Sequence, residues 1–366
     1  MDLIKFELYK IFRQKIIYIT FLLSIIFSTG FTFDSTAQWE KDLYREWEGP
    51  ITVEKVEQAK LDNEELMKKL DEAEENFIYS ESDQVKSGIY ETIAWIQQVN
   101  ENKLNKLAEL KAETKYNTEL QKSLVEDIDV SYFAYNKGPR EVVDFASFYS
   151  IIFTGGMLLI GLSTIYTNEY SSGVDNYLLS SKKGRKPLMW SKIIASMIYT
   201  VVVVIAWEMW NVGYSVLRYG NEGWNTAIQY SFKYYFSPYS FTLLEYHMIQ
   251  LGIHLIGALA FAVLIVFISS LCKNALISIM VNGAIYAVPV MIVETYTSLP
   301  LWLTDVFRFS FVYIMKVEFL FDNFRTINLF GTPVLYPIAA IVLMVVVAVV
   351  FVSCLTRVVK NREVTS

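Results

Sequence analysis

Few side chains in this sequence have both the type and the spacing that catalysis requires. Neither a G-x-x-x-x-G-K-[ST] phosphate-binding loop nor an H-E-x-x-H zinc motif occurs in the chain. His247 and His254 are seven residues apart on one face of a predicted helix, and Glu245 is the carboxylate at helical spacing from them. Cys272 and Cys354 end separate apolar runs and belong to no C-x-x-C motif. We therefore expect no enzyme activity, no metal site and no cofactor in this chain.

Polar side chains occur within two of the apolar stretches. Glu208 and Asn211 are one helical turn apart in the stretch that ends at Leu217, and Asn282 and Tyr286 share a later stretch. An ionisable residue at membrane depth is expected to be functional, because a charge in hydrocarbon is costly. We interpret Glu208, Asn211 and Asn282 as candidate residues of a transport pathway. For Asn282 and Tyr286 the alternative is a hydrogen bond between helices.

The composition is typical of a membrane protein. Apolar residues make up 53% of the 366 residues and charged residues 19%, whereas a soluble domain is about one quarter charged. Residues 34–141 contain 25 acidic and 14 basic residues, and the remainder contains 13 acidic and 18 basic residues. This separation lacks the basic stripe of a nucleic-acid-binding protein. It indicates a chain whose parts lie on different sides of a membrane.

Six stretches are long and apolar enough to cross a bilayer, whose core of about 30 Å requires about 20 apolar residues in a helix. They are Ile16–Phe33, Phe145–Thr167, Ile193–Leu217, Tyr246–Leu271, Ala275–Tyr296 and Val334–Leu355. The sequence thus predicts an all-α integral membrane protein with about six transmembrane helices. Residues 297–333 are apolar but interrupted by charges, which predicts a re-entrant or interfacial segment before the last span.

Basic residues flank the predicted spans on one side of the membrane. They are Lys5, Lys10, Arg13 and Lys15, then Lys182, Lys183, Arg185, Lys186 and Lys192, then Lys273, and finally Arg357, Lys360 and Arg362. Because such residues concentrate on the cytoplasmic side, both termini are predicted to be cytoplasmic in the plasma membrane, with residues 357–366 as a tail. Residues 34–144 are then extracellular. Residues 1–15 predict an in-plane amphipathic helix with Leu8, Ile11 and Phe12 toward lipid.

The extracellular insert is predicted to form a helical hairpin. From the predicted N-cap Thr52, a heptad-like seam contains Val56, Ala59, Asn63, Leu66, Leu70, Ala73 and Phe77. A break at Ser80–Gly88 precedes a second helical run with Ile89, Ile93, Ile96, Leu104, Leu107 and Leu110 on one side. Two interpretations stay open. The hairpin is either a coiled-coil stalk or dimer contact, or it takes part in substrate capture.

The most specific motif lies between the second and third predicted spans, in residues 168–192. From Asn168 to Lys186 it is N-E-Y-S-S-G-V-D-N-Y-L-L-S-S-K-K-G-R-K. This loop resembles that of permease subunits of type-2 family ABC exporters, in which E-[FY]-x-x-G-T is followed by a short amphipathic stretch, a basic turn and a lysine. The matching residues are Glu169, Gly173, Leu178, Leu179, Ser180, Arg185 and Lys192, whereas Val174 stands in place of the usual threonine. The opening Phe6–Arg13 and the six-span layout are also similar to this family, and the long insert is similar to its sodium-export and peptide-resistance branches.

The resemblance implies a division of labour between chains. ATP and magnesium would bind to separate cytoplasmic ATPase subunits, and the permease would pair with itself or with a similar permease. The pathway would lie between the two permeases, lined by their second and fifth spans. Residues Gly173–Ser180 would be a coupling helix that docks into the ATPase through Tyr177, Leu178 and Leu179. Glu169 would anchor this loop to neighbouring basic groups, and Arg185 would belong to its basic turn.

The aromatic, weakly charged spans favour an amphipathic or lipid-like substrate, such as a peptide antibiotic or a lipid-linked precursor. Export of sodium or another ion is implied by the resemblance alone. A first rival hypothesis is a membrane scaffold or sensor whose extracellular hairpin binds an envelope partner. A second is an ion-coupled carrier, but the inverted internal repeat typical of such carriers is not evident in the sequence.

Overall fold

The computed structural model describes residues 2–29, 36, 38–72, 80–180, 184–296 and 299–361. Its helices are α1 (Asp2–Phe12), α2 (Lys15–Thr29), α3 (Gln38–Glu46), α4 (Val53–Glu72), α5 (Glu81–Ala112), α6 (Thr118–Glu126), α7 (Lys137–Leu162), α8 (Thr167–Ser171), α9 (Val174–Ser180), α10 (Lys186–Tyr219), α11 (Leu243–Leu271), α12 (Ala275–Thr295), α13 (Leu301–Arg308), α14 (Phe311–Lys316) and α15 (Tyr336–Asn361). Short antiparallel pairs join β1 (Gly49–Pro50) to β2 (Tyr132–Phe133), and β3 (Thr326–Leu329) to β4 (Thr332–Leu335).

The described helices agree with the predicted all-α membrane protein. Five helical stretches are long and apolar enough to cross a membrane, namely Lys137–Ser171, α10, α11, α12 and α15. Helices α1 and α2, bent by 56° at their junction, make a sixth if they are taken together. We call the end of this bundle that carries residues 163–180 and 184–192 the loop end. The opposite end, which carries residues 38–72 and 80–136, is the insert end.

Helices α7, α10 and α11 form the centre of the bundle. Phe153, Trp207 and Phe261, one from each helix, are buried in a common apolar core. Glycines allow aromatic rings to approach α7 closely. A Cβ atom added at Gly155 would lie 2.5 Å from the ring of Tyr286, and no atom lies within 4 Å of one added at Gly156. The packing of α12 on α7 therefore depends on a small residue at position 155.

Several predicted span boundaries differ from the helices, among them the starts of α7, of α10, which begins at Lys186 rather than at Ile193, and of α15. Helix α7 begins at Lys137 rather than at Phe145, because its first two turns carry charged residues and continue the helix beyond its apolar part. Helix α15 begins at Tyr336 rather than at Val334, because residues 332–335 pair with 326–329 as a β-hairpin. A hydropathy boundary marks where a helix becomes apolar, and the helix itself can begin earlier or later.

Helices α12 and α15 leave broad apolar surfaces uncovered. Only 17% of the apolar window of each is buried, compared with 61% in the α7, α10 and α11 stretches. Met280 and Met291 on α12, and Val345 and Val349 on α15, are all more than half exposed. These helices thus provide the surface that the folded chain offers to lipid or to another apolar partner.

The insert folds into its own helical domain. Val56 and Ala59 of α4 are buried against Ile89 and Ile93 of α5, and the Ser87 hydroxyl lies 3.2 Å from the Asn63 amide oxygen. The backbone NH of Lys55 donates to the predicted N-cap, the Thr52 hydroxyl, at 3.2 Å. Helices α4 and α5 therefore pack against each other along their apolar sides.

Other parts of the hairpin prediction differ or fall outside the described residues. The predicted break at Ser80–Gly88 is wrong, because helix α5 begins at Glu81 and continues through Gly88, with Ser80 as its N-cap accepting from the NH of Asp83. Leu104 is 66% exposed and not part of the buried side, whereas Leu110 is buried. Leu66 is partly buried. Ala73, Phe77 and the side chain of Leu70 lie outside the described part.

The segment before the last span enters the bundle. The side chains of residues 312–315 on α14 are buried against α7 and α11. The backbone carbonyl of Met315 accepts a hydrogen bond from His254, near the middle of α11, at 2.8 Å. At the end of α14, Val317 has a φ of 64°, a rare conformation for a β-branched residue. The chain then returns to the insert end through β3 and β4.

Helix α1 contacts protein where lipid was expected. Ile11 is 2% exposed, and Leu8 and Phe12 pack against the central core. The rings of Phe12 and Tyr199 meet edge to face, with 5.6 Å between their centroids. Phe6 and Tyr9 are instead the exposed side chains of this helix. The apolar face is thus used to pack α1 onto α10, and the prediction that Ile11 faces lipid is wrong.

Candidate functional site

Four charged side chains form a compact cluster at the loop end. We call Glu7, Lys10, Glu169 and Lys192 the ion-pair cluster. The Lys192 ammonium lies 2.7 Å from Glu169 Oε1 and 3.0 Å from Glu7 Oε2. The Lys10 ammonium lies 2.6 Å from Glu169 Oε1 and 2.9 Å from Glu7 Oε1. Two carboxylates and two ammonium groups therefore neutralise each other.

The cluster is deeply placed. Lys192 and Glu7 are 0% and 1% exposed, and Glu169 is 9% exposed. Lys192 also donates to the carbonyl of Ile165 at 2.8 Å and lies 4.9 Å from the centre of the Tyr166 ring. Buried ions need such complete pairing, because an isolated buried charge costs several kcal/mol. The cluster consequently joins three elements that are distant in sequence: α1, the loop after α7, and the first turns of α10.

The loop that carries Glu169 contains two short helices. Gly173 joins α8 to α9 with a φ of 68°, a conformation that favours glycine. Tyr177 on α9 is 80% exposed, whereas Leu178 is partly buried and lines cavities between α9 and the bundle. Leu179 belongs to α9, and its side chain lies outside the described part. Helix α9 thus exposes Tyr177 at the surface, and Glu169 holds the loop that carries this helix.

The basic turn is attached to the last span. The Arg185 guanidinium donates to the carbonyl of Lys360, near the end of α15, at 3.4 Å. A small cavity of about 20 Å³ is lined by Arg185, Leu178 and Val359. Lys182 and Lys183 lie outside the described residues. The loop end therefore connects the predicted coupling segment to α15 as well as to α1 and α10.

A second polar group lies between α10 and α11. The Glu208 carboxylate lies 2.7 Å from His247 Nε2, and its other oxygen accepts from the Asn211 amide at 3.2 Å. Asn211 is fully buried and also donates to the carbonyl of Val142 at 3.1 Å. Two of the three predicted pathway residues, Glu208 and Asn211, are therefore in contact. The partner of His247 comes from a neighbouring helix, which spacing along α11 could not reveal.

The remaining predicted polar residues, Asn282 and Tyr286, form different kinds of hydrogen bond. Asn282 is fully buried, and its amide donates to the Ser278 carbonyl at 2.8 Å within α12. Tyr286 donates to the Ile151 carbonyl of α7 at 2.7 Å. The interhelical hydrogen bond expected at Tyr286 is thus present. The one expected at Asn282 is absent among the described residues, because its partner lies one turn back on its own helix.

His254 is held by two hydrogen bonds in the centre of the bundle. Its Nδ1 atom lies 2.8 Å from the carbonyl of Met315, and its Nε2 atom lies 2.8 Å from the Thr154 hydroxyl. The indole NH of Trp207 donates to the same hydroxyl at 3.0 Å. Within the described residues no three metal-binding side chains converge, here or elsewhere. These contacts fix α14 against α7 and α11.

No family model, no curated protein and no solved structure matches this chain. Its function must therefore be inferred from the arrangement of its residues. Sequence reasoning singled out Glu169 and Lys192 but missed Glu7 as their partner. The signal was a lysine at the start of an apolar span together with a glutamate in the amphipathic opening helix.

Proposed function

We propose that this chain is the permease subunit of an ATP-driven ABC exporter of the type-2 family. The observation that carries the proposal is the ion-pair cluster, which ties the loop bearing α9 to α1 and α10 through Glu169. A permease driven by another chain needs a stiff element that receives the motion of that chain. A loop attached by buried ion pairs to two other helices has this property, and its exposed Tyr177 provides the contact.

The mechanism requires that the loop has two arrangements biased by nucleotide on the ATPase. ATP binding would draw the two ATPase subunits together and displace α9. Because Glu169 binds Lys10 and Lys192, this displacement would pass to α1 and to the start of α10 as one rigid unit. The attachment of Arg185 to the end of α15 would carry it to the last span.

The proposed orientation assigns the loop end to the cytoplasm and the insert end to the outside of the plasma membrane. The basic residues of the loop end and the acidic insert support it. The proposed active form is a dimer of permeases, with the pathway between the copies near α7 and α12. The largely uncovered apolar surface of α12 supports a contact of this kind. The proposed substrate is amphipathic or lipid-like.

The proposal is tested by purifying the tagged chain from its native membrane in mild detergent and assaying bound proteins by mass spectrometry and ATP hydrolysis. We expect a stoichiometric P-loop ATPase in the wild-type sample. Tyr177→Asp should lower its recovery at least about tenfold, because a charge in an apolar contact costs more than about 1.4 kcal/mol. Phe232→Asp is the matched control, because Phe232 is equally exposed, at 80%, at the insert end.

Recovery of the chain without an ATPase would refute the exporter proposal. If envelope proteins were recovered instead, and were lost on changes in residues 38–136, the scaffold or sensor hypothesis would be correct. Equal loss of the ATPase from Tyr177→Asp and Phe232→Asp would refute the assignment of α9 as the docking element. Size-exclusion chromatography of both variants shows whether each remains folded and monodisperse.

A further inference from the structure

A cavity of about 470 Å³ opens at the insert end between α2, α7 and α10. We call it the aromatic cavity, because Phe27, Phe145, Phe148 and Tyr149 form its lower wall toward the centre of the bundle. Glu141, Asp144 and Arg218 form its upper wall. Its volume lies within the range of about 300–1,000 Å³ that is common for ligand sites. The cavity is separate from the ion-pair cluster and from the Glu208–His247 pair.

The aromatic wall continues onto the uncovered surface of the bundle. Tyr149 lies between Phe145 and Phe148, with ring centroids 5.0 and 5.1 Å from theirs, and Phe27 of α2 lies 6.1 Å from Tyr149. Phe27 and Phe148 are 63% and 52% exposed. A molecule lying in the surrounding apolar layer thus meets aromatic surface that leads directly into the cavity.

The charged wall has one carboxylate without a direct partner. The Lys233 ammonium lies 3.0 Å from Asp144, and the Arg218 guanidinium donates to the Tyr214 hydroxyl at 2.6 Å. Glu141 makes no hydrogen bond and no ion pair within the described part of the chain, and its charge interacts at longer range with those of Asp144, Arg140, Lys137 and Arg218. Lys137, one turn before Glu141, is bound to Glu40 at 2.7 Å. Glu141 therefore remains as an acceptor at the boundary between charged and aromatic walls.

A carboxylate beside aromatic rings is a favourable environment for a cation. The carboxylate supplies an ion pair, and the ring faces attract positive charge by their quadrupoles. The aromatic wall below accepts an apolar chain. The arrangement therefore selects a molecule that carries a positive head and an apolar tail, with the head toward the insert end.

We propose that the aromatic cavity binds cationic amphiphiles, with the cationic head at Glu141 and the apolar tail along Phe145, Phe148 and Tyr149. That these molecules are the exported substrates, held near the outer leaflet before release, rests on the function proposed above. The binding itself is a property of this chain alone. It requires neither the ATPase nor nucleotide.

The test uses the purified chain, without an ATPase, in lipid nanodiscs. The probe is N-dansyl-1,12-diaminododecane, a cation, and the matched probes are 12-(dansylamino)dodecanoate, an anion, and 12-(dansylamino)dodecanol, which is neutral. Fluorescence titration gives each Kd after subtraction of empty nanodiscs. We expect the cation to bind at least about tenfold more tightly than the neutral probe, since one partly desolvated ion pair contributes about 1.4 kcal/mol or more.

Three variants define the site. Glu141→Gln should remove the preference for the cation, and Glu141→Lys should reverse it toward the anion. Ser28→Trp should weaken the binding of all three probes, because Ser28 lines the cavity and the indole ring would fill it. Glu126→Gln, a carboxylate change on α6 outside the cavity lining, is the control and should bind as wild type. Size-exclusion chromatography confirms that each variant is folded.

Equal affinity for the three probes, or unchanged cation binding by Glu141→Gln, would overturn the proposal. The outcome is independent of the ATPase recovery described above. Cation binding without a co-purifying ATPase would support the binding site and refute the exporter function. A co-purifying ATPase without cation selectivity would support the exporter function and refute cationic amphiphiles as its substrate class.

Discussion

The charge of Lys192 has a structural cost that only a complete set of partners can offset. Its side chain is fully buried, and its three donor hydrogens are used by Glu7, Glu169 and the Ile165 carbonyl. Removal of the lysine would leave two carboxylates in a buried site with only Lys10 beside them. Loss of one partner from a buried ion pair is therefore more damaging than loss of the whole set.

Lys192→Met should lower the free energy of unfolding by about 3–5 kcal/mol, the range for breaking a buried ion pair. The double variant Glu7→Gln, Lys192→Met should be more stable than Lys192→Met, because the remaining Glu169 and Lys10 neutralise each other at 2.6 Å. Thermal unfolding in detergent, followed by tryptophan fluorescence, measures the order of the midpoints. Lys111→Met changes an exposed lysine of the insert and is the control. A double variant less stable than Lys192→Met would contradict this electrostatic account.

At the scale of elements, α7 and α12 are fitted to each other by Gly155. The hydroxyl of Tyr286 donates to the Ile151 carbonyl, and its ring covers the space where a side chain at position 155 would lie. The neighbouring Gly156 faces open space. The two adjacent glycines thus differ only in their surroundings, since Gly155 is tightly packed and Gly156 is not. A substitution at Gly156 is therefore a matched control for the same substitution at Gly155.

Gly155→Ala should destabilise the protein by about 1–3 kcal/mol, because the added methyl group overlaps the Tyr286 ring and forces it from its hydrogen bond. Gly156→Ala should be neutral or slightly stabilising, since alanine favours the helix and meets no atom within 4 Å. Thermal unfolding of both variants measures the difference. Equal midpoints for the two variants would show that α12 can move away from α7 without cost.

The sequence predicts these elements better than it predicts their contacts. Apolar length located five helices that are long and apolar enough to cross a membrane, because a helix satisfies its backbone hydrogen bonds within hydrocarbon. It could not indicate that α7 begins at Lys137 or that residues 326–335 form a hairpin. Charged first turns and paired strands depend on tertiary contacts. For the same reason the motif indicated Glu169 but not its partner Glu7, which is 162 residues away along the chain.

At the scale of the whole molecule, the open question is whether α2 crosses the membrane. Its 15 residues span about 22 Å, which is less than the bilayer core of about 30 Å. Its two ends nevertheless reach opposite ends of the bundle. It follows α1, which binds Glu169 at the loop end, and its last residue, Thr29, lines the aromatic cavity with Tyr219 at the insert end. A membrane-crossing helix shorter than the bilayer core can be accommodated by local thinning of the bilayer.

A crossing α2 places residues 2–12 and the insert on opposite sides, whereas a non-crossing α2 places them on the same side. We expect the first arrangement. In a Cys272→Ser, Cys354→Ser background, Leu104→Cys on α5 should react with a membrane-impermeant maleimide in intact cells. Tyr9→Cys and Tyr177→Cys should react only after permeabilisation. All three positions are more than half exposed in this chain, so in cells without the proposed ATPase, which would cover Tyr177, access to the reagent depends on the side of the membrane.

Phe330→Cys, at the fully exposed tip of the β3–β4 hairpin, is the positive control for the insert end. It should react in intact cells together with Leu104→Cys. Reaction of Tyr9→Cys in intact cells, with Tyr177→Cys still protected, would show that α2 does not cross. It would also contradict the ion-pair cluster, because Lys10 could not then reach Glu169 from the opposite face of the bilayer. The labelling pattern therefore tests the six-span topology and the geometry of the cluster in one measurement.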